Sequence, residues 1–463
     1  MKKRILALLL ALSLAFVLVA ACADDTPAQA PAGDGAATGD AAAPGDDTAP
    51  PEVGDDVTVL TFWTFVDTHL EYFYAAADLW NAANPDRQVY IAGEHVPWGQ
   101  IWQNLQMALQ TGTGAPDLID IEIGQAEMYL NVPQPPLLAQ NEALAPFMPY
   151  LVQSRVEPYT AHGNIYGVCY HIGAVLMFYN QSLFDEAGLD WSEIVTWDDF
   201  IEMGYLMRER TGAWMTALDS NLFGFDPLVA QQHAQYVVDG RPNVYTPETV
   251  RALQLMQDMI YVHEIARVMP GYELDSEEHY AAFNNGEIAA IWAPAWFMGR
   301  FINLMPDVQG QISVGPLPVF EPGNNRSSSA GGTMTAVTNQ IDPANAELAL
   351  DFVAFAKASY EGALLQWTLL GFDPVRWDVF TDPAMRAPSP AVDYFGVEFA
   401  EQLFDTLLEI QAETGAIQTV QANAFTVREH LMQFVMPNVI RDNLQSPADA
   451  LREAQAILEA QIP

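Results

Sequence analysis

From Val57 onward, short apolar and β-branched runs alternate with longer stretches whose apolar positions recur every three or four residues. Val57–Phe62 reads as a strand and Leu70–Asn81 as a helix. Gln88–Ala92 is a second strand, and Ile101–Gln110 a second helix stopped by Thr111-Gly112-Thr113-Gly114. Leu118–Ile121 is a third strand. This β-α-β-α-β order predicts a mostly parallel sheet covered by helices, hence an α/β fold. Later helices are marked by their starts. Thr196-Trp197-Asp198-Asp199 has the form of a capping box ahead of Phe200, Ile201 and Met203. Thr246 before Pro247 places proline at the first helical position, and an apolar stripe follows at Val250, Leu253, Met256 and Ile260. Asp342-Pro343 and Ser446-Pro447 repeat the device before Ala349–Phe355 and Leu451–Leu458. Strands recur at Ile288–Trp292 and Ile312–Val314.

The front of the chain breaks this pattern. Lys2, Lys3 and Arg4 precede an apolar run from Ile5 to Val19. Val19-Ala20-Ala21-Cys22 then resembles the bacterial lipobox, with Val where Leu is commoner. Residues 1–21 therefore read as an export signal removed from the mature protein, with Cys22 as the diacylated first residue. The run is short for a stable transmembrane helix. Residues 23–56 are mainly Ala, Pro, Gly, Thr and Asp, without Lys, Arg or aromatics. Such a segment cannot bury apolar surface and is expected to be a disordered acidic tether. It would span about 30 Å as a flexible coil. The expected location is the outer face of the cytoplasmic membrane, held there only by the lipid.

Composition adds size and charge. The part from Val57 to Pro463 is rich in Trp, Tyr, Phe and Met and is too long for one small core, which suggests two lobes. Of 18 basic residues the leader removes three and no acid, leaving 15 against 59 acidic residues and a net charge of −44. Lys357 is the one lysine that remains. This surface repels nucleic acid and lacks a polybasic membrane-binding patch. Cys169 has no partner for a disulfide once Cys22 carries lipid, and in its apolar setting it reads as a small buried hydrophobe. No H-E-x-x-H, G-x-S-x-G or P-loop sequence occurs. Asp219-Ser220-Asn221 with Gly224 is faintly like a calcium loop, but Phe223 fills a ligand position and no Glu closes it. No metal, cofactor or catalytic set is expected.

Five segments carry a family resemblance. Thr113-Gly114-Ala115-Pro116-Asp117-Leu118 is one. Ile165-Tyr166-Gly167-Val168-Cys169, continuing through Phe178-Tyr179-Asn180-Gln181-Ser182-Leu183-Phe184-Asp185-Glu186-Ala187-Gly188-Leu189, is another. Thr196-Trp197-Asp198-Asp199-Phe200, Phe283–Ala290 with Trp296 beyond it, and Gly371-Phe372-Asp373-Pro374-Val375-Arg376 complete the set. In this order they resemble bacterial extracellular solute-binding proteins of family 1, the maltose-binding-protein-like receptors of ABC sugar importers. Cys169 stands where proline is usual, Glu287 where Lys is usual, and Trp292 replaces a Met-like residue.

The resemblance implies a two-lobed periplasmic-binding-protein-like fold with a sheet flanked by helices in each lobe. The N-terminal lobe would comprise 57–167 and 316–358, and the C-terminal lobe 168–315 and 359–463. The chain would cross near Val168–Gly173, near Gly315–Pro318 and near Lys357–Gly362. A monomer would close on its ligand by hinge bending and present it to the importer's permease.

A sugar site needs flat aromatic platforms with acids, amides and donors at the edges. Trp63 after the first strand is a platform or ordinary core, and Asp67 a hydroxyl acceptor. Glu122 and Gln125 follow the third strand, at the end where open α/β sheets bind ligands, or else form an exposed turn. Trp98 shares a helix face with Trp102, as a platform or as packing. His171 in the first crossing is a donor or a structural histidine. Trp296 lies where the resemblance places a stacking ring. Asp373 and Arg376 in a proline-containing loop are candidates to grip hydroxyls, and Trp377 stacks on ligand or on its own loop. An oligosaccharide suits the number of platforms. The alternatives are another solute such as a glycerol phosphoester or peptide, a secreted carbohydrate-active hydrolase, and a structural surface protein. A phosphorylated ligand calls for clustered Arg or Lys, in which this chain is poor.

Overall fold

The computed structural model describes residues 57–462. The export signal, Cys22 and the acidic tether lie outside the described residues. The strands that frame the site are β1 (Val57–Thr64), β2 (Gln88–His95), β3 (Leu118–Glu122), β4 (Val175–Asn180), β5 (Thr216–Leu218), β6 (Ala266–Val268), β7 (Ala290–Pro294), β8 (Ile312–Gly315) and β9 (Thr333–Val337). The principal helices are α1 (Asp67–Ala83), α2 (Trp98–Thr111), α3 (Ala126–Leu130), α4 (Trp197–Thr211), α5 (Pro247–Tyr261), α6 (Ala346–Ala358), α7 (Tyr360–Thr368), α8 (Ala424–His430) and α9 (Pro447–Gln461).

The first sheet has the order β9-β3-β1-β2. β1 runs parallel to β2 and β3, and β9 returns antiparallel to β3. Period-2 alternation sends Leu60 and Phe62 toward α1 and α6, while Trp63 faces the α2 side with Ile119 and Ile121. α1 answers with Tyr72, Phe73, Ala76 and Trp80, spaced to share one face.

The second sheet is built on β4, all of whose residues are buried. Val175, Met177 and Tyr179 join a core with Trp197, Leu253 and Met256, whereas Leu176 and Phe178 join another with Phe283, Phe301 and Trp367. Coverage on both faces explains why this strand is an unbroken apolar run with no alternation. Its pairing differs from the mostly parallel arrangement expected. β4 is antiparallel to both β7 and β8, because the chain re-enters the sheet each time at the end where β4 leaves it, with Ala290 opposite Tyr179 and Ile312 opposite Asn180. The parallel pair β5–β6 extends this sheet through the Trp214–Ile288 bridge.

The capping signals act as anticipated at three helices. Thr196 and Asp199 form a capping box on α4, Thr246 and Thr249 do so on α5, and the Ser446 side chain accepts from Asp449 N on α9. Asp342 does not cap α6. Its carboxylate accepts from Ala344 N, two residues on, which makes a turn, and the helix starts only at Ala346.

The lobes are joined by buried extended segments. Cys169 bridges Met334, Ala174 bridges Ser329, and Ile172 N donates to Asp373 O. Leu317 and Ala330 pack in the second lobe's core. Ala363 and Trp367 of α7 also pack there, just past α6.

Beside these crossings lies a buried polar cluster. Asp120 accepts hydrogen bonds from Thr64 Oγ1 (2.7 Å), Thr335 Oγ1 (2.6 Å), His69 Nδ1 (2.7 Å) and Tyr170 OH (3.1 Å). Lys357 Nζ lies over the Tyr170 ring and donates to Thr333 O. Burial alone would raise the Asp120 carboxyl, but His69, Lys357 and Thr335 together hold it below the usual range. Burial lowers His69 against the pull of Asp120, whose carboxylate lies 2.7 Å from its Nδ1.

Candidate functional site

Trp296 follows β7 in a single turn, Ala295–Phe297. Its indole Nε1 donates to Ala330 O at 3.2 Å, and Phe223 meets its ring edge-on at a centroid distance of 5.9 Å. The Arg300 guanidinium lies 5.7 Å from the ring centroid and is held by Asp275. The absence of a side chain at Gly331 leaves room for the ring. A Cβ at Gly331, whose φ is 68°, would sit 3.1 Å from the indole nitrogen.

Arg155 lies one residue away from this platform. It is fully buried, and Nη2 donates to Gly331 O at 2.6 Å and reaches Cys169 Sγ at 3.3 Å. Its Nε and Nη1 have no partner among the described residues. Its charge acts on Glu122, His171 and Asp373. His171 is buried edge-on to Phe372, with Nδ1 unpartnered. Burial, reinforced by Arg155, pushes its pKa well down and keeps the ring neutral. Burial raises the Glu122 carboxyl to about 7, against the pull of Gly124 N–H, Arg428 and Arg155. In the second lobe, Asp219 Oδ1 accepts from Gly224 N, Oδ2 is unpartnered, and burial raises the carboxyl to about 7. Buried donors and acceptors left without protein partners are places for ordered water or ligand hydroxyls.

The expected residues separate into groups. Glu122, His171 and Trp296 gather around Arg155 and Gly331. Gln125 starts α3 beside Glu122. Trp98 is 48% exposed and stands perpendicular to Phe65 and Trp102, at the carboxyl ends of β1 and β2. Asp67 is nearby, with its side chain 78% exposed and 3.5 Å from His95 Nδ1. Trp63 packs against the first lobe's core.

The loop from Gly371 is turned inward. Asp373 is fully buried and accepts from Gly173 N and Ala174 N, which ties the loop to the first crossing. Arg376 is occupied by Asp378, Ala358 O and the Tyr150 ring. Trp377 packs on Phe380. These polar atoms serve the scaffold and do not face an open site. Cys169 is buried as its apolar setting required. Two surface grooves, of about 710 Å³ beside Trp197, Tyr245 and Phe320 and about 460 Å³ beside Asn141 and Val156, lie apart from all of these residues.

Arg155, Asp219 and Arg428 carry no sequence signal that marks them for the site, beyond the weak one that Arg155 is one of few cations in an acidic chain. The segment around Asn423 has no motif that marks it.

Asp219 provides a test of this electrostatic picture. Its pKa rises from an ordinary 3.8 to about 7 in the folded protein. Its contribution to stability is complete below about pH 4 and is lost as pH rises through about 7. Asp219→Asn keeps the Oδ1 acceptor and removes the titration. The variant should gain stability relative to the parent between pH 5 and pH 8, by roughly 1 kcal/mol or more. Urea unfolding of both proteins at the two pH values measures it. A stability difference independent of pH would show that Asp219 is solvated.

Residues 67–359 match the family described as bacterial extracellular solute-binding protein. The arabinooligosaccharide-binding protein of Halalkalibacterium halodurans is 40% identical over 415 residues, covering 88% of this chain and 91% of that one. The protein of the same description from Bacillus subtilis is 33% identical over 404 residues, covering 87% and 92%. Maltose-bound MalE3 of T. maritima shares the fold, with a TM-score of 0.69 at 21% identity over 88% of this chain and 100% of that one. The ABC transporter associated binding protein of B. animalis subsp. lactis, in complex with beta-1,6-galactobiose, superposes with a TM-score of 0.69 at 18% identity, covering 87% and 97%. With its two lobes, its buried crossings and a matching pattern over most of its described length, the chain belongs to the bacterial extracellular solute-binding protein family.

Proposed function

We propose that this protein is a lipid-anchored receptor that captures an arabinose-containing oligosaccharide between its lobes and delivers it uncut to the permease of an ABC importer. The observation that carries the reading is Trp296. An aromatic ring anchored through its N–H beside a glycine is suited to an apolar sugar face, and the unpartnered polar atoms of Arg155, His171 and Asp219 are suited to hydroxyls. The names of the two curated relatives support the sugar class. Trp98 and Asp67 at the rim are assigned to further sugar units, and Glu122 and Gln125 to the wall of the first lobe. The lobes are taken as 57–167 with 331–358, and 168–330 with 359–462, in a monomer. Capture is non-covalent and uses no cofactor. Incubation with arabino-oligosaccharides followed by chromatography tests this, because a receptor returns the sugar intact and a hydrolase shortens it.

The anchor rests on Val19–Cys22 and the tether behind it. Cys22→Ser should abolish lipidation and slow signal removal. Metabolic labelling with a fatty-acid analogue measures it, and equal label in both proteins would rule out the anchor.

A further inference from the structure

Outside the site itself, a contact spans the two lobes. Glu127 lies in α3, whose Tyr129 and Leu130 pack in the first lobe's core. α8 packs Ala424 and Val427 in the second lobe's core. The Glu127 carboxylate accepts from Asn423 N at 2.9 Å through Oε1 and from Phe425 N at 2.7 Å through Oε2. α8 has no side-chain cap of its own, because Asn423 Nδ2 is directed to Gly240 O. Asn423 is held at φ 71°, in the left-handed region. A residue of one lobe thus satisfies backbone donors of the other.

Two neighbouring observations fall on the same seam. Arg428 stands one turn after Phe425, is fixed by Asp226 at 2.7 Å, and acts through its charge on Glu122 at the end of β3. Val420, just ahead of Asn423, packs against the first lobe's core.

We infer that Glu127 is a positioning residue that latches the closed form: it binds the Asn423–Phe425 backbone across the seam and so sets affinity without touching the ligand. Both carboxylate oxygens are engaged by the protein. Opening the lobes must break both charge-assisted bonds and return the groups to water. An interaction made only in the closed form slows opening and raises the fraction competent to hold ligand. Gln offers one acceptor oxygen where Glu offers two, so Glu127→Gln should lie between the parent and Glu127→Ala.

The inference rests on the carbohydrate reading for its affinity arm, and the test has a second arm that does not. Stopped-flow binding of arabinotriose to the full chain carrying Cys22→Ser should show a dissociation rate about tenfold faster in Glu127→Ala, with association unchanged. Glu127→Gln should be intermediate. An unchanged dissociation rate overturns the latch, and so does a loss expressed only as a smaller active fraction. If the parent binds no arabinotriose, the carbohydrate reading fails and the second arm decides. Spin labels at Met107→Cys and Val262→Cys, both exposed and one in each lobe, report the interlobe distance without ligand. A short-distance population that disappears in Glu127→Ala upholds the latch, and identical distributions overturn it.

Discussion

Trp296→Ala should weaken oligosaccharide binding by about thirtyfold, or roughly 2 kcal/mol, while the fold stays intact. The ring is only partly buried against the second lobe's core, with one edge fixed by Ala330 O and the other supported by Phe223. Truncation removes a flat surface for the C–H face of a sugar and leaves Ala330 O without its donor. Trp296→Phe keeps the ring and loses the indole N–H, so its loss should be smaller. Calorimetry on arabinotriose gives the affinity, and circular dichroism checks the fold. Normal binding by Trp296→Ala would move the platform to Trp98, the exposed ring at the rim. Unfolding would make Trp296 a core residue.

Asp120→Ala should cost about 3–5 kcal/mol of stability. The carboxylate is fully buried and receives hydrogen bonds from Thr64, His69, Tyr170 and Thr335, with Lys357 close by. Its removal leaves buried Lys357, whose pKa burial already pushes well down, without the countercharge that opposes that shift, and leaves several hydroxyls without an acceptor. These donors come from β1, α1, the first crossing and β9, so the loss should also loosen the segments between the lobes. Asp120→Asn retains an acceptor without the charge and should fall between the two. Urea unfolding measures the difference. A loss under about 1 kcal/mol would mean that the cluster is effectively solvated.

The elements that the sequence made legible are those with a local cause. β1, β2 and β3 follow from apolar runs, α4, α5 and α9 from their caps, and Cys169 from its apolar surroundings. The family was legible too, because its motifs fall at strand ends and turns, where backbone geometry restricts the residue. Asp342 was misleading because Asp-Pro makes a turn as readily as it starts a helix, and only the downstream packing decides between them. The antiparallel pairing of β4 was not legible, since a doubly buried strand reads the same in either direction. For the site, Glu122 is marked by its strand end, His171 by its place in the first crossing and Trp296 by the strand before it and the family resemblance, and the structure brings the three around Arg155. Asp373 and Arg376 read as site candidates because charged residues in a proline-containing loop are suited to grip hydroxyls. Their partners, Gly173, Ala174 and Ala358, are distant in sequence and could not be foreseen. Glu127 and Asn423 were invisible for the same reason, as their contact joins residues from opposite ends of the chain.

The central claim is that the closed lobes hold an oligosaccharide between them. Calorimetric titration of the parent protein with a panel of arabino-, malto- and galacto-oligosaccharides tests it most directly. Saturable one-to-one binding of an arabino-oligosaccharide is expected, tighter than that of the other sugars, with the ligand recovered intact. Absence of saturable binding by every oligosaccharide in the panel would contradict it.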